Sequence, residues 1–233
     1  MHNLLESIKA LILDLDDTLY DCSGSLVHAR RLKAAGVIAK ALGCTEEEAY
    51  RLQKEKESSL KDNLYEKIAN CYSLPSTFVK DIYKAMKEVD IPNIKPFPGV
   101  VKTLRDLKER GLWLILVTAG QPLEQEEKVR LLGLRKLLDE VIVVERKNDS
   151  KRACFQDILD RYGLRAEEVL CVGDKAEDEL RIAKTLGMST ALVQHGRHYE
   201  SFASSHRQKG SPDICIKSVT ELSELLPARQ PSQ

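Results

Sequence analysis

The chain has 233 residues, long enough for one large domain or two unequal ones with a real core. Its 36 basic and 36 acidic residues cancel, which argues against nucleic acid or an anionic membrane surface as a partner. No apolar run approaches the roughly 20 residues that span a bilayer, and the start MHNLLESIKA lacks the cationic-then-apolar form of a secretory leader. Six scattered cysteines without a C-x-x-C pair predict free thiols in a cytoplasmic, reducing setting rather than a zinc site.

In chain order, the first apolar run is Ala10–Leu13. It is followed by Leu112–Val117, Val141–Val144, Val169–Val172, Thr190–Val193 and a possible edge strand at Ile214–Ile216. Near-continuous apolar strands with helices between them predict a parallel sheet covered on both faces. The helices Val100–Arg110, Lys151–Tyr162 and Glu177–Leu186 each run into a glycine (Gly111, Gly163, Gly187) suited to a left-handed helix end. Ser218-Val-Thr-Glu221 has capping-box form ahead of a last helix.

The gap after the first strand differs. From Tyr20 to about Pro96 only helical patterning appears, with a capping box at Thr45-Glu-Glu-Glu48 and a further helix from Ser76 or Thr77 to about Val89. The stretch Ile91-Pro-Asn-Ile-Lys-Pro-Phe-Pro-Gly99 then reads as a linker. The expected architecture is α/β: a doubly wound, Rossmann-like parallel-sheet core (residues 1–19 and 97–227) interrupted by an all-helical insert (20–96), with a loose tail over 228–233.

Ligand sites in open parallel sheets lie beyond the carboxyl ends of the strands. Asp14 and Asp16 stand there after strand one, Thr118-Ala-Gly120 after strand two, and Gly173-Asp174 after strand four, with Asp178 four residues on. If the strands are neighbours, Asp14, Asp16 and Asp174 converge. Like charges at one point call for a hard divalent cation, and Mg²⁺ is commonly held by one or two carboxylates together with a substrate phosphate. Thr118 offers a hydroxyl, and Ala119 and Gly120 offer N–H groups near a helix start, where anions bind. A lysine near strand three can reach the same anion. Lys151 and Lys147 both qualify, and Lys151 is preferred because it falls at a helix start.

Asp14-Leu-Asp16-Asp-Thr18, then Thr118, then a lysine, then Gly173-Asp174-Lys-Ala-Glu-Asp178 resemble the four ordered motifs of the haloacid dehalogenase-like hydrolases, over about Ile8 to Tyr199. The insert resembles that superfamily's C1-type cap, which closes over the ligand. The resemblance implies Asp14 as a nucleophile that forms an aspartyl-phosphate and Asp16 as general acid, then base. It implies Thr118, the Ala119 amide and Lys151 around the phosphoryl oxygens. Mg²⁺ would touch Asp14, the Asp16 carbonyl and Asp174, with Asp178 mostly outer-sphere. Thr18 is expected to brace the loop.

The acid two residues after the nucleophile, which dehalogenases lack, favours a Mg²⁺-dependent phosphatase for a small phosphorylated metabolite. The alternatives are a phosphomutase, a phosphonate-cleaving enzyme with Lys33 or Lys40 as Schiff base, and a catalytically silent binding protein. Two-component receivers share the acid pair, but this chain has Glu145 and Arg146 where their phosphorylated Asp would stand. His195 and His198 are read as a loop beyond strand five without an acidic partner, and Cys22 as a plain buried or half-buried thiol. Sequence does not state the substrate or the oligomeric state.

Overall fold

The structure is a computed structural model that describes residues 5–57, 63–145, 150–204 and 211–226. Contact density divides the chain into two compact units, residues 22–92 and the remainder.

The larger unit is built on a six-stranded, all-parallel sheet in the order β3-β2-β1-β4-β5-β6. The strands are β1 (Ala10–Leu13), β2 (Trp113–Ala119), β3 (Glu140–Val144), β4 (Val169–Gly173), β5 (Ser189–Val193) and β6 (Ile214–Ile216). β1, β4 and β5 are buried along their whole lengths, which is why they read as unbroken apolar runs rather than alternating ones. Leu13 pairs with Leu116 on one side and Val172 on the other, so β1 is the middle of the sheet. The order reverses between β1 and β4, the switch point beside which ligands bind in such sheets.

The helices of the whole chain, in order, are α1 (His28–Leu42), α2 (Glu46–Lys56), α3 (Leu64–Cys71), α4 (Phe78–Lys87), α5 (Val100–Glu109), α6 (Pro122–Leu131), α7 (Ser150–Tyr162), α8 (Arg181–Thr185), α9 (Gly196–Ser204) and α10 (Leu222–Leu225). One face of the sheet packs Ile12, Ile115, Val117 and Cys171 with Phe155 and Ile158 of α7 and Ile182 of α8. The glycines expected to end helices, Gly111, Gly163 and Gly187, all have positive φ.

Two elements depart from the sequence reading. The helix expected over Glu177–Leu186 is a π-helical turn, Ala176–Leu180, followed by the short α8. The stretch expected as loop after β5 turns helical at Gly196, so His198 lies on α9 while His195 precedes it.

The smaller unit contains α1 to α4 after a π-helical turn at Ser23–Val27. Its core combines small residues (Ala34, Ala35, Ala49) with Ile38, Ile68, Phe78 and Ile82. The capping box opening α2 is complete: Thr45 Oγ1 accepts from the Glu48 N–H, and Glu48 Oε2 accepts from the Thr45 N–H at 2.8 Å. Gln53 is fully buried and satisfied, donating to the Arg31 carbonyl at 3.0 Å and accepting from the Tyr65 hydroxyl at 3.3 Å.

The insert leaves and rejoins the sheet unit through adjacent backbone. The Phe97 N–H donates to the Leu19 carbonyl at 3.0 Å, and Tyr20 bridges Pro96 in antiparallel fashion. No helix among the described residues is long and apolar enough to cross a membrane.

Candidate active site

Asp14 extends the β1 ladder by one residue, its N–H donating to the Val172 carbonyl at 2.9 Å. Its side chain is buried and meets Lys151 from α7, whose Nζ lies 2.8 Å from Asp14 Oδ1 and 3.1 Å from Glu179 Oε2. Lys175 adds a second ammonium, 3.6 Å from Asp14 Oδ2 and 3.7 Å from Asp174 Oδ1. The ligand atoms of Asp14, Asp174 and Glu179 all lie within 4.8 Å of one another.

The electrostatics follow from this crowding. Burial pushes the Asp14 carboxyl up, but Lys151 and Lys175 overcome it and hold the group below its ordinary value. Asp174 goes the other way: burial, reinforced by Glu179 and Asp14 and only partly offset by Lys175, raises it well above its ordinary value. Burial raises Glu179 as well. Lys151 and Lys175 are both raised, since the surrounding carboxylates outweigh the burial that disfavours an ammonium.

This group fits a hard divalent cation on chemical grounds. Asp14 Oδ2 and both Asp174 oxygens are buried without a hydrogen-bond donor among the described residues. Native interiors rarely leave such atoms bare, and oxygen-only donors are what Mg²⁺ takes. Asp178, expected as an outer ligand, is half-buried and outside the three-carboxylate group; Glu179 takes the inward position. Glu179 passes under Gly173 to accept from the Lys175 N–H at 2.9 Å. A Cβ on Gly173 would stand 2.5 Å from Glu179 Oε1, so only glycine leaves that path open.

Asp16 sits in a different setting. Lys128 from α6 donates to Oδ1 at 3.0 Å and Oδ2 at 3.1 Å, and the Tyr20 hydroxyl donates to Oδ1 at 2.7 Å. Burial would raise Asp16, but Lys128 and the Tyr20 hydroxyl lower it to about 2.

Of the expected phosphate groups, Thr118 and Ala119 stand at the carboxyl end of β2, with Thr118 buried. The Gly120 N–H is engaged by the Val144 carbonyl at 3.0 Å, a correction to its expected availability. Gln125 donates to the Ala119 carbonyl at 3.3 Å. Lys151 reaches Asp14, and Lys147 lies outside the described residues. The Thr18 hydroxyl has no hydrogen-bond partner among the described residues, so the loop is held instead by backbone bonds to the Leu15 carbonyl. His195 does meet acids, contrary to expectation: Nε2 is 3.3 Å from Asp21 Oδ1, with Asp17 beside them. No disulfide forms among the described residues, and Cys22 is buried.

Sequence reasoning missed Glu179, Lys175, Lys128 and Tyr20. For Lys128 a signal existed, since Gln125, Lys128, Val129 and Leu132 recur at the i, i+3, i+4, i+7 spacing of a buried helix face.

The family pattern described as "Haloacid dehalogenase-like hydrolase" matches residues 11–193. The chain is 32% identical to the glyceraldehyde 3-phosphate phosphatase of Methanocaldococcus jannaschii, over 94% of this chain and 97% of that one. It is also 32% identical to the protein of the same name from Methanothermobacter thermautotrophicus, over 94% of this chain and 100% of that one. Its fold is similar to that of a HAD phosphatase crystallised from Thermococcus onnurineus, with a TM-score of 0.63 at 21% identity, covering 95% of this chain and 99% of the other. With acids and lysines meeting at the ends of adjacent strands, the chain belongs to the haloacid dehalogenase-like hydrolases and is an enzyme of their phosphatase branch.

Proposed function

We propose that the chain is a Mg²⁺-dependent phosphatase that hydrolyses a small phosphorylated metabolite through an aspartyl-phosphate on Asp14. The observation that carries this reading is the Lys151–Asp14 contact at 2.8 Å beside three buried carboxylate oxygens that lack a donor among the described residues. Lys151 fixes Asp14 Oδ1 and keeps the carboxylate ionised, the form that attacks phosphorus. Thr118, the Ala119 amide and Lys151 hold the phosphoryl oxygens and balance the charge that builds on them. Asp14 and Asp174 would hold the Mg²⁺ together with the Asp16 carbonyl, Glu179 stands within reach, and Asp178 would contribute through water. The bound ion would neutralise phosphoryl charge and orient the phosphate.

In the first half-reaction an Asp14 oxygen bonds to phosphorus as the ester P–O bond breaks. The negative charge of the arriving phosphate opposes the Lys128 and Tyr20 donors and favours the protonated form of Asp16. The leaving oxygen takes the bonding pair and that proton. In the second half Asp16, now ionised, takes a proton from water as the water oxygen bonds to phosphorus. The bond to Asp14 then breaks, releasing inorganic phosphate.

The names of the full-length relatives make glyceraldehyde 3-phosphate the first substrate to test, within a panel of sugar phosphates, nucleotides and short organic phosphates. The helical insert is the proposed source of discrimination among them, and the free thiols are consistent with a reducing, cytoplasmic location. The decisive assay is p-nitrophenyl phosphate hydrolysis by the full chain, with Mg²⁺ and with chelator. Turnover should require the metal and be blocked by beryllium fluoride, which mimics the acyl phosphate. A metal-loaded protein without turnover would overturn the reading in favour of a silent binding protein.

A further inference from the structure

Lys128 is among the largest fully buried side chains of the molecule, at 1% exposure. Its Nζ reaches both oxygens of Asp16 and stands 3.3 Å from Glu124 Oε1. Taking an ammonium out of water costs several kcal/mol, and well-packed apolar residues usually serve stability as well or better. Stability alone is therefore a poor explanation for a lysine here. What the lysine does supply is geometry. The carboxylate torsion of an aspartate is broad and has no sharp preference of its own. Two donors, Lys128 to both oxygens and the Tyr20 hydroxyl to Oδ1, fix its plane.

The count of donors distinguishes the two oxygens. Oδ1 accepts from Tyr20 at 2.7 Å and from Lys128 at 3.0 Å, which uses both of its lone pairs. Oδ2 accepts from Lys128 at 3.1 Å and keeps one lone pair open among the described residues. We propose that Lys128 is a positioning residue for proton transfer, clamping Asp16 so that Oδ2 is the oxygen that gives the proton to the leaving group and later takes one from water. This rests on the reading of Asp16 as general acid and base.

A proton donor matters most for leaving groups that are poor without protonation. The test compares kcat/KM, which reports events up to phosphoenzyme formation, for an alkyl ester (glycerol phosphate) and for p-nitrophenyl phosphate. Wild type, Lys128→Met, Tyr20→Phe and Asp16→Asn are assayed as full-length, Mg²⁺-loaded proteins. Lys128→Met is expected to lose about 10–100-fold on the alkyl ester, a fraction of what a general acid is worth, and less than about threefold on the aryl ester. Tyr20→Phe should lose selectively in the same direction by a smaller factor, and Asp16→Asn by a larger one.

Equal losses on both esters in Lys128→Met, or no loss on either, overturn the positioning role. If Lys128→Met does not fold, as judged by its melting curve, Tyr20→Phe decides: no ester selectivity there overturns the proposal. If Asp16→Asn itself shows no selectivity, the acid–base reading fails and takes the clamp with it. Selectivity in Asp16→Asn without selectivity in Lys128→Met defeats the clamp alone.

Discussion

Asp14 and Asp16 stand two residues apart at the end of the same strand, yet their surroundings are built on opposite plans. Around Asp14, three carboxylates share two ammonium groups, and three buried oxygens receive no hydrogen bond among the described residues. Around Asp16, one lysine and one tyrosine hydroxyl give a single carboxylate three hydrogen bonds, with one acceptor site left over among the described residues. The first setting is short of positive charge, and the second is close to complete. An active site that must admit a cation and a phosphate needs the first kind. A group that only passes a proton back and forth is better served by the second, where its direction is fixed in advance.

The contrast can be broken at its strongest point first. Replacing Asp14 by Asn removes the proposed nucleophile, and kcat on p-nitrophenyl phosphate should fall on the order of 10³-fold or more. Near-normal turnover would mean that covalent attack comes from elsewhere. Next, Lys151→Met should unsettle the charge-poor side as a whole. It leaves Asp14 and Glu179 buried without their shared cation, and a broken buried pair costs about 3–5 kcal/mol, readable by urea denaturation. Alkyl and aryl esters should be slowed alike by this variant, unlike the selective effect expected at Lys128.

A third experiment sharpens the difference through the metal. At 100 times its Kd, Mg²⁺ should stabilise the wild-type protein by about 2.7 kcal/mol, followed as a rise in Tm. Asp174→Asn should remove most of that rise, and Glu124→Gln, on the Asp16 side, should leave it unchanged. The smallest effect is expected one residue beyond Lys151. Arg152 is exposed and donates to the Thr185 hydroxyl at 2.6 Å, so Arg152→Ala should change stability by no more than about 0.5 kcal/mol and leave turnover intact. A large loss there would place a third side-chain cation in the site.

The sheet was largely legible because a parallel strand buried on both faces has no polar positions to blur its ends. Ala10–Leu13 and Ile214–Ile216 came out residue for residue, and the others within a residue or two. The acids at strand ends were legible for a related reason, since three aspartates after an apolar run need an explanation that a turn does not supply.

Glu179 was not legible, and the reason is local geometry. Counting one helical turn from Asp174 leads to Asp178, but the backbone winds here with π-helical spacing, and the extra residue carries Glu179 inward instead. Lys128 and Tyr20 were missed because neither belongs to a motif. Lys128 meets Asp16 across 112 residues of sequence and the Tyr20 hydroxyl turns back four residues to it, pairings that a linear reading does not measure. The π-helical turn also explains why the helix expected over Glu177–Leu186 divides into two short pieces.

The hydrogen bond from Phe97 to Leu19 and the Tyr20–Pro96 bridge make a clasp where the helical insert departs and returns. To the sheet, everything between those ends is one closed loop. Doubling a flexible loop adds only about 0.6 kcal/mol of closure entropy. A change in the insert's length should therefore cost the sheet little closure entropy while the strand tip bearing Asp14 and Asp16 keeps its anchorage.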